Sequence, residues 1–344
     1  MDKVKLGSTG YSANKNAFGV LPLQRAPKDE AVRLLNLAYD AGFEYYDTAR
    51  FYTDSEEKIG LALSDKRDKV IIATKTRGET PAAFWSELET SLKTLRTDYI
   101  DVYQFHNPTR CPRLDDGTGV YEAMLEAKEQ GKIRHIGLTN HRLPVAMEAA
   151  ESGLYEIIQF PFSYLATKEE HELVELCERQ RIGFTAMKAL SGGIITSGTV
   201  AFAYLAQFPS VLPLWGIQRE NELLEFIECG KNPPVLDAAM EAIIEKDRQE
   251  LSGNFCRACG YCLPCPANIE IPNAARMARL LRRSPLANYL SPQWQENMKQ
   301  IENCIECNHC KDNCPYGLDT PALLKANYED YKAFIQERKA SGTV

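Results

Sequence analysis

No run in the chain approaches the roughly 18 consecutive apolar residues that a membrane-spanning helix needs. The opening residues Met1-Asp2-Lys3-Val4-Lys5 carry no apolar signal-peptide core, so the expectation is a cytoplasmic protein with no membrane partner. A basic excess is missing as well: 40 Lys and Arg stand against 47 Asp and Glu, a net charge of -7, which argues against a nucleic-acid partner. Neither G-x-G-x-x-G nor G-x-x-x-x-G-K-[ST] occurs, so a dinucleotide, if one binds, is not held by a Rossmann or P-loop fingerprint. Low-complexity tracts are absent.

What is present is an ordinary globular composition, 44% hydrophobic and 25% charged, in a chain of 344 residues. That length favours one large domain and a smaller one. Short apolar runs alternate with helical periodicity from residue 16 to about 229. The predicted strands are Ala17–Leu23, Phe43–Tyr46, Val70–Ala73, Tyr99–Phe105, Ile133–Leu138, Ile157–Pro161, Gly183–Met187 and Val211–Ile217, each followed by a helical segment. Eight such β-α units are what a closed parallel (β/α)8 TIM barrel requires, and strands apolar on both faces suit its buried sheet. Ser55-Glu56-Glu57-Lys58 reads as a helix start, and Gly42, Gly131 and Gly153 as helix ends. Lys231-Asn232-Pro233-Pro234 breaks the pattern and sets the expected boundary: a barrel over 1–232 and a second domain over 233–344, entered by a helix at Val235–Glu250.

Active sites of such barrels lie at the C-terminal ends of the strands. Strand two ends in Tyr46-Asp47-Thr48-Ala49 with Tyr52 beyond, strand three in Ala73-Thr74-Lys75, and strand four in Gln104-Phe105-His106. Asp, Tyr, Lys and His on one rim fit carbonyl reduction, which needs a hydride and a proton for the forming alkoxide. A free tyrosine, with a pKa of about 10, is a poor acid near neutrality, and a neighbouring ammonium lowers that value. An aspartate keeps the lysine charged and placed, and a neutral histidine orients the carbonyl oxygen. Each of these residues alone at a strand end is more often structural; four together reverse that weighting.

Tyr46-Asp47-Thr48-Ala49-Arg50-Phe51-Tyr52 followed by Ser55-Glu56 resembles the aldo-keto reductase signature D-T-A-x-x-Y-x-x-S-E, and the settings of Lys75 and His106 are similar too. The resemblance covers roughly residues 3–229. It implies Asp47, Tyr52, Lys75 and His106 as the catalytic set with Tyr52 the general acid, acting on a small-molecule carbonyl or alcohol, and a cleft for NADPH or NADH. It further implies that Thr139, Asn140 and Gln159 meet the nicotinamide carboxamide, and that Gly216, Ile217, Gln218 and Arg219 lie near the adenosine phosphate. This chain departs from the family pattern in three places. Met187 stands where an aromatic often stacks on the nicotinamide. Glu222 stands where many members place a basic residue for a 2′-phosphate, which weakens the case for NADPH, with Arg219 able to compensate. Asn107 follows the catalytic histidine where many carry Trp; with Arg110 and Arg113 it hints at a polar or anionic substrate group.

Eight of the 11 cysteines crowd into two runs. Cys256, Cys259, Cys262 and Cys265-Pro266 are spaced C-x-x-C-x-x-C-x-x-C-P, and Cys304, Cys307, Cys310 and Cys314-Pro315 form the bacterial ferredoxin run. A reducing compartment disfavours disulfides, so the runs read as ligands of two [4Fe–4S] clusters; zinc sites pair well-separated C-x-x-C units instead. The expected ligation is crossed, Cys314 completing the first run and Cys265 the second, because each Cys-Pro turns the chain toward the neighbouring cluster. His309 is expected to point outward, and Cys111, Cys177 and Cys229 to be buried thiols. Between the runs Ile271–Arg283 is predicted helical, as in the helical ferredoxin domains of respiratory subunits, giving a small, mainly α-helical ferredoxin-like domain. Its Arg276, Arg279, Arg282 and Arg283 read as a solvated face or as a docking face for an acidic ferredoxin or flavodoxin-like electron carrier. Three functions stay open: an oxidoreductase passing electrons to or from such a carrier, a plain carbonyl reductase with structural clusters, and an electron-transfer or redox-sensing subunit with a nucleotide-binding barrel.

Overall fold

The structure, a computed structural model, describes residues 3–251, 255–283 and 286–340. Its contacts divide into two units, Met1–Leu190 with Ser197–Ile244, and Ser191–Thr196 with Glu245–Val344. The division thus falls inside a helix, Ala238–Glu250, instead of at the Pro233-Pro234 break after residue 232. The capture of Ser191–Thr196 by the second unit has no counterpart in the sequence reading. Among the described residues no helix is long and apolar enough to cross a membrane.

The first unit is a closed barrel of eight parallel strands: β1 Ala17–Gly19, β2 Tyr45–Asp47, β3 Ile71–Thr76, β4 Ile100–His106, β5 Ile133–Thr139, β6 Ile157–Pro161, β7 Gly183–Met187 and β8 Val211–Gly216. β8 pairs with β1 and closes the ring. The helices are α1 Lys28–Asp40, α2 Ser55–Leu63, α3 Pro81–Leu95, α4 Val120–Glu129, α5 Leu143–Ser152, α6 Lys168–Arg179, α7 Gly198–Ala206 and α8 Glu220–Lys231. The first expected strand is shorter than Ala17–Leu23, because Pro22 opens a 3-10 turn at Leu21–Arg25. Local chemistry explains several ends: Thr167 and Glu170 form a reciprocal capping box on α6, and Gly153 closes α5 at φ +72°. An N-terminal hairpin, Val4–Lys5 with Ser12–Ala13, brings Val4, Leu6 and Ala13 into one apolar cluster with Tyr45, Ile71 and Leu212. It stoppers the end of the barrel opposite the site.

The second unit contains α9 Ala238–Glu250 in part, then α10 Ile271–Ala274, α11 Met277–Arg283, α12 Leu286–Tyr289, α13 Pro292–Lys299, α14 His309–Asp312 and α15 Thr320–Ala340. Its core joins Met277, Leu280 and Leu281 to Met298, Leu324 and Tyr331. The single helix expected over Ile271–Arg283 is broken at Ala275-Arg276. Buried Asn327 spans the break, accepting from Ala278 N at 2.9 Å and donating to Ala275 O at 3.2 Å. The basic docking face is not there. Arg276 is buried, Arg279 lies against the Phe255 ring, Arg283 pairs with Asp247 and Glu250, and Arg282 pairs with Asp330. Their acidic partners come from α9 and α15, which local spacing does not reveal.

Lys15 is a buried lysine whose ammonium donates to Leu205 O, Phe208 O and Val211 O at 3.1, 2.5 and 3.3 Å, closing the α7–β8 turn. Lys15→Met removes these ammonium hydrogen bonds from the turn, so urea unfolding should show a loss of about 1–3 kcal/mol. A midpoint equal to that of the wild type would show that the turn is held by packing alone.

Candidate functional site

Strand register assembles the rim. Asp47 lies opposite Ala73, Lys75 opposite Gln104, His106 opposite Thr139, and Thr139 opposite Gln159. Thr74 and Lys75 lie one and two residues past Ala73, the partner of Asp47, so the residues singled out in the sequence end on adjacent strands at one mouth. The segment after β2 stays stitched to β3 by Thr48 N to Ala73 O and Arg50 N to Lys75 O. Tyr52 is placed by a turn in which its N–H donates to Ala49 O at 3.0 Å.

The centre is a buried ion pair. Lys75 Nζ contacts both Asp47 oxygens at 2.7 Å and donates to Thr48 O at 2.6 Å. Gln104 donates to Asp47 at 3.5 Å, and Gln159 also hydrogen-bonds it. Burial raises the Asp47 carboxyl and lowers the Lys75 ammonium, and the contact between them opposes each shift. Lys75 Nζ lies 5.4 Å from the centroid of the half-buried Tyr52 ring, and the His106 ring meets Tyr52 edge to face at 5.6 Å. Burial, then the charges of Lys75 and Arg77, hold His106 well below its ordinary pKa, so its imidazole is neutral near pH 7. All four expected residues therefore come together.

Sequence reasoning missed the support behind them. Glu56, fully buried, pairs with Arg50 and accepts from Thr74 Oγ1 at 2.7 Å and Ser91 Oγ at 2.8 Å. Burial raises its carboxyl, with Thr74 opposing. It does not sit at an exposed helix start; its place in Ser55-Glu56 was the available signal. Phe51 is 57% exposed beside the site, and the Arg77 guanidinium stacks 3.5 Å from its centroid.

The expected nucleotide residues form two groups. Thr139 Oγ1 lies 3.8 Å from Met187 Sδ, with Gln159 on the strand between. Gln159 Oε1 is buried with no hydrogen-bond partner, an acceptor suited to a carboxamide N–H. Asn140 is largely used by the loop, donating to Pro108 O and accepting from Arg142 N, both at 2.8 Å. After β8, Gly216 pairs with Gly19, and Arg25 donates to Gln218 at 3.5 Å. Glu222 does not face outward to repel a phosphate: its carboxylate accepts from Gln218 N at 2.8 Å and Arg219 N at 3.1 Å at the start of α8. Asn107 takes φ +57° and accepts from His141 N at 3.1 Å, and Arg113 pairs with Glu148. Arg110 is exposed.

In the second unit a cavity is lined by Cys262, Cys265, Cys304, Cys307 and Cys310, with Pro266 and Leu324 among its apolar walls. Burial raises the Cys310 thiol, and Cys304, Cys265 and Cys307 add to it; for Cys256, burial raises the thiol, and Cys259 and Cys314 are among its neighbours. The eight thiols of the two runs supply a donor set that fits two clusters. Among the described residues no three ligand side chains close around a point as a single ion requires. Of the eight, only Cys307 is exposed, while Cys111, Cys177 and Cys229 are buried. His309 is exposed, and its ring bonds Asn313.

The His106 shift has a measurable consequence. The folded pKa lies below the unfolded value of about 6.5, so the unfolded chain binds more protons as the pH falls below that value. Stability present above about pH 6.5 should therefore be lost below it, with a limiting slope of about 1.4 kcal/mol per pH unit. Urea titrations of wild type and His106→Gln from pH 5 to 7.5 should show this component only in the wild type. Parallel curves would mean that His106 titrates normally.

Comparison with known proteins agrees with this geometry. Residues 10–244 match the Aldo/keto reductase family, and residues 255–319 match the 4Fe-4S dicluster domain. The chain is 30% identical over 210 residues to the uncharacterized oxidoreductase YqkF of Bacillus subtilis, covering 57% of this chain and 67% of that one. It is 27% identical over 253 residues to the NADH-specific methylglyoxal reductase of Escherichia coli, covering 65% and 77%. Several other curated relatives are matched over somewhat less than two thirds of their length, such as 64% of an aldo-keto reductase of Bacillus subtilis. An aldo-keto reductase from Bacillus halodurans shares the fold with a TM-score of 0.62 at 22% identity, covering 72% of this chain and 96% of that one. A buried Lys–Asp pair at the mouth of an eight-stranded barrel, and a family match over most of the chain, place this protein in the aldo/keto reductase family of oxidoreductases, with a 4Fe-4S dicluster domain at its C-terminal end.

Proposed function

We propose that this oxidoreductase interconverts a small-molecule carbonyl and its alcohol at the barrel mouth with NADH or NADPH, and that its C-terminal module exchanges electrons with a one-electron protein carrier. The observation that carries the reading is Lys75, buried beside the Asp47 carboxylate and the Tyr52 ring, with the His106 ring edge to face with that tyrosine. When bound, the nicotinamide supplies a hydride and the two [4Fe–4S] clusters supply single-electron transfer.

The chain's own residues handle the proton and the geometry. Tyr52 gives its hydroxyl proton to the forming alkoxide and takes it back in the reverse direction. The Lys75 ammonium favours the phenolate left behind, and Asp47 keeps that ammonium in place against the cost of burial. Neutral His106 orients the carbonyl oxygen beside Tyr52 without adding a second cation. Gln159, through its buried unpartnered Oε1, together with Thr139 and Asn140, holds the carboxamide; Met187 packs on the ring; Gly216, Gln218 and Arg219 lie along the adenosine side. With Glu222 turned to the α8 backbone, Arg219 can meet a phosphate without an opposing carboxylate. For the cysteines, ligation is proposed as Cys256, Cys259, Cys262 and Cys314 for one cluster, and Cys304, Cys307, Cys310 and Cys265 for the other.

Tyr52→Phe should lower turnover of an aldehyde panel by about 10²-fold or more, while NADH and NADPH affinities, read by tryptophan fluorescence, stay near wild type. Turnover within about threefold of wild type would remove Tyr52 from the acid role. For ligation, anaerobically prepared Cys314→Ser should perturb the same paramagnetic signal as Cys256→Ser. Perturbation of the signal altered by Cys304→Ser instead would establish local ligation.

A further inference from the structure

Arg77 stands two residues past Lys75, just beyond the end of β3. Glu87 of α3 fixes the chain there, accepting from Thr76 Oγ1 at 2.7 Å and from Arg77 N at 2.8 Å. From that anchor the side chain reaches the segment after β2, where its guanidinium carbon lies 3.5 Å from the centroid of the Phe51 ring. The Phe51 ring meets the His106 ring edge to face at 6.4 Å, and Tyr52 meets the same imidazole at 5.6 Å. Arg77, Phe51, His106 and Tyr52 thus form one connected group at the barrel mouth. The first two distances share the Phe51 ring, so the gap from guanidinium to imidazole is no larger than their sum, which a short carbon chain spans. Burial first, then Lys75 and then Arg77 hold the His106 pKa down, so the arginine charge is felt at the imidazole.

A guanidinium stacked on a ring keeps its N–H donors in its own plane, along the edge, where they match the two oxygens of a carboxylate. The Phe51 ring is 57% exposed, so it is not a core residue; its contacts are with the arginine on one side and the catalytic histidine on the other. Two protein carboxylates of the mouth are already engaged, Asp47 by Lys75 and Glu56 by Arg50. The Lys75 charge is matched by Asp47 at contact distance, which leaves Arg77 as the cation of this group suited to an anionic ligand. Arg113, beyond β4, is instead paired with Glu148.

We propose that Arg77 determines substrate specificity by selecting carbonyl compounds that carry a carboxylate a short chain away from the carbonyl carbon, and that Phe51 is the positioning residue that holds its guanidinium at the mouth. This rests on the carbonyl reading of Tyr52 and His106 given above. The carbonyl oxygen lies between Tyr52 and His106, the carboxylate accepts from the Arg77 edge, and the chain between them sets which compounds place both ends at once. An anion held at one end orients the carbonyl at the other, so the contact is expressed in kcat/KM. The chemistry is unaltered: a hydride and the Tyr52 proton convert the carbonyl to the alcohol, and the carboxylate leaves unchanged.

The test uses the full chain with its clusters assembled, and compares succinate semialdehyde with its methyl ester, which keeps the aldehyde and removes the charge. The wild type should favour the acid over the ester in kcat/KM by about 30-fold. Arg77→Met should bring the two substrates to within about threefold of each other, chiefly by raising KM for the acid. Arg77→Lys keeps the charge without the planar fork, so its preference should fall between those two. Phe51→Leu leaves the arginine in place without its ring and should lower the preference about fivefold. Equal kcat/KM for acid and ester in the wild type, or losses on both by the same factor in Arg77→Met, overturns the proposal. If no form, wild type included, reduces either aldehyde, the carbonyl reading falls, and calorimetric titration of succinate decides the anion site on its own. Binding to Arg77→Met weaker than to the wild type by about tenfold or more then supports the site. Equal binding to both, or none to the wild type, overturns it.

Discussion

The Lys75–Asp47 pair is the constraint around which the barrel mouth is organised. Two charges at 2.7 Å, removed from water, are tolerable only if their remaining hydrogen-bonding capacity is met. Thr48 O accepts one hydrogen bond from the lysine, and Gln104 and Gln159 donate to the carboxylate. Those groups come from β4, β6 and the segment after β2, so the pair can stay buried only if the strands close in one register. Loss of one partner would leave the other charge buried alone, at a cost of about 3–5 kcal/mol. The same low-polarity setting that makes the pair demanding strengthens its field at Tyr52 and keeps His106 neutral.

A second tier of buried charge holds that register. Glu56 ties α2 to β3 and α3 through Thr74 and Ser91, and so fixes the residue next to Lys75. At the strand starts Asp101 accepts from Arg67 at 2.5 Å, from Ile72 N at 2.9 Å and from Tyr11 at 2.8 Å. Tyr11 belongs to the turn of the N-terminal hairpin, so this carboxylate links the hairpin to β3 and β4. Buried carboxylates at both ends of the barrel are thus satisfied by several elements at once, which specifies position more sharply than apolar packing does.

The second unit rests on different physics. Its apolar core is small, and two cysteines, Cys262 and Cys310, are counted within it. A module of this size gains much from bound metal. Burial raises both thiols, so they must lose protons when they ligate iron, and metal binding and folding are linked. Of its arginines, Arg283 pairs with Asp247 and Glu250, Arg276 donates to the Gly192 carbonyl, and the more exposed Arg282 pairs with Asp330.

The sequence by itself determined the eight β-α units, the rim residues Asp47, Tyr52, Lys75 and His106, and the two cysteine runs. These signals are local: strand periodicity, residues at strand ends, and ligand spacing within a few positions. Tertiary structure alone decided where partners meet across distance. Glu222 turned to cap α8, because two backbone N–H groups at the start of that helix lay within hydrogen-bond reach of its carboxylate. Arg282 and Arg283 found carboxylates on α15 and α9, far along the chain. Ser191–Thr196 left the barrel's contacts for those of the cysteine module, because a buried guanidinium more than eighty positions away needed a carbonyl acceptor. Periodicity reports which face of an element is buried; it carries no information on which distant group satisfies a buried charge, and that pairing is settled only when the chain closes on itself.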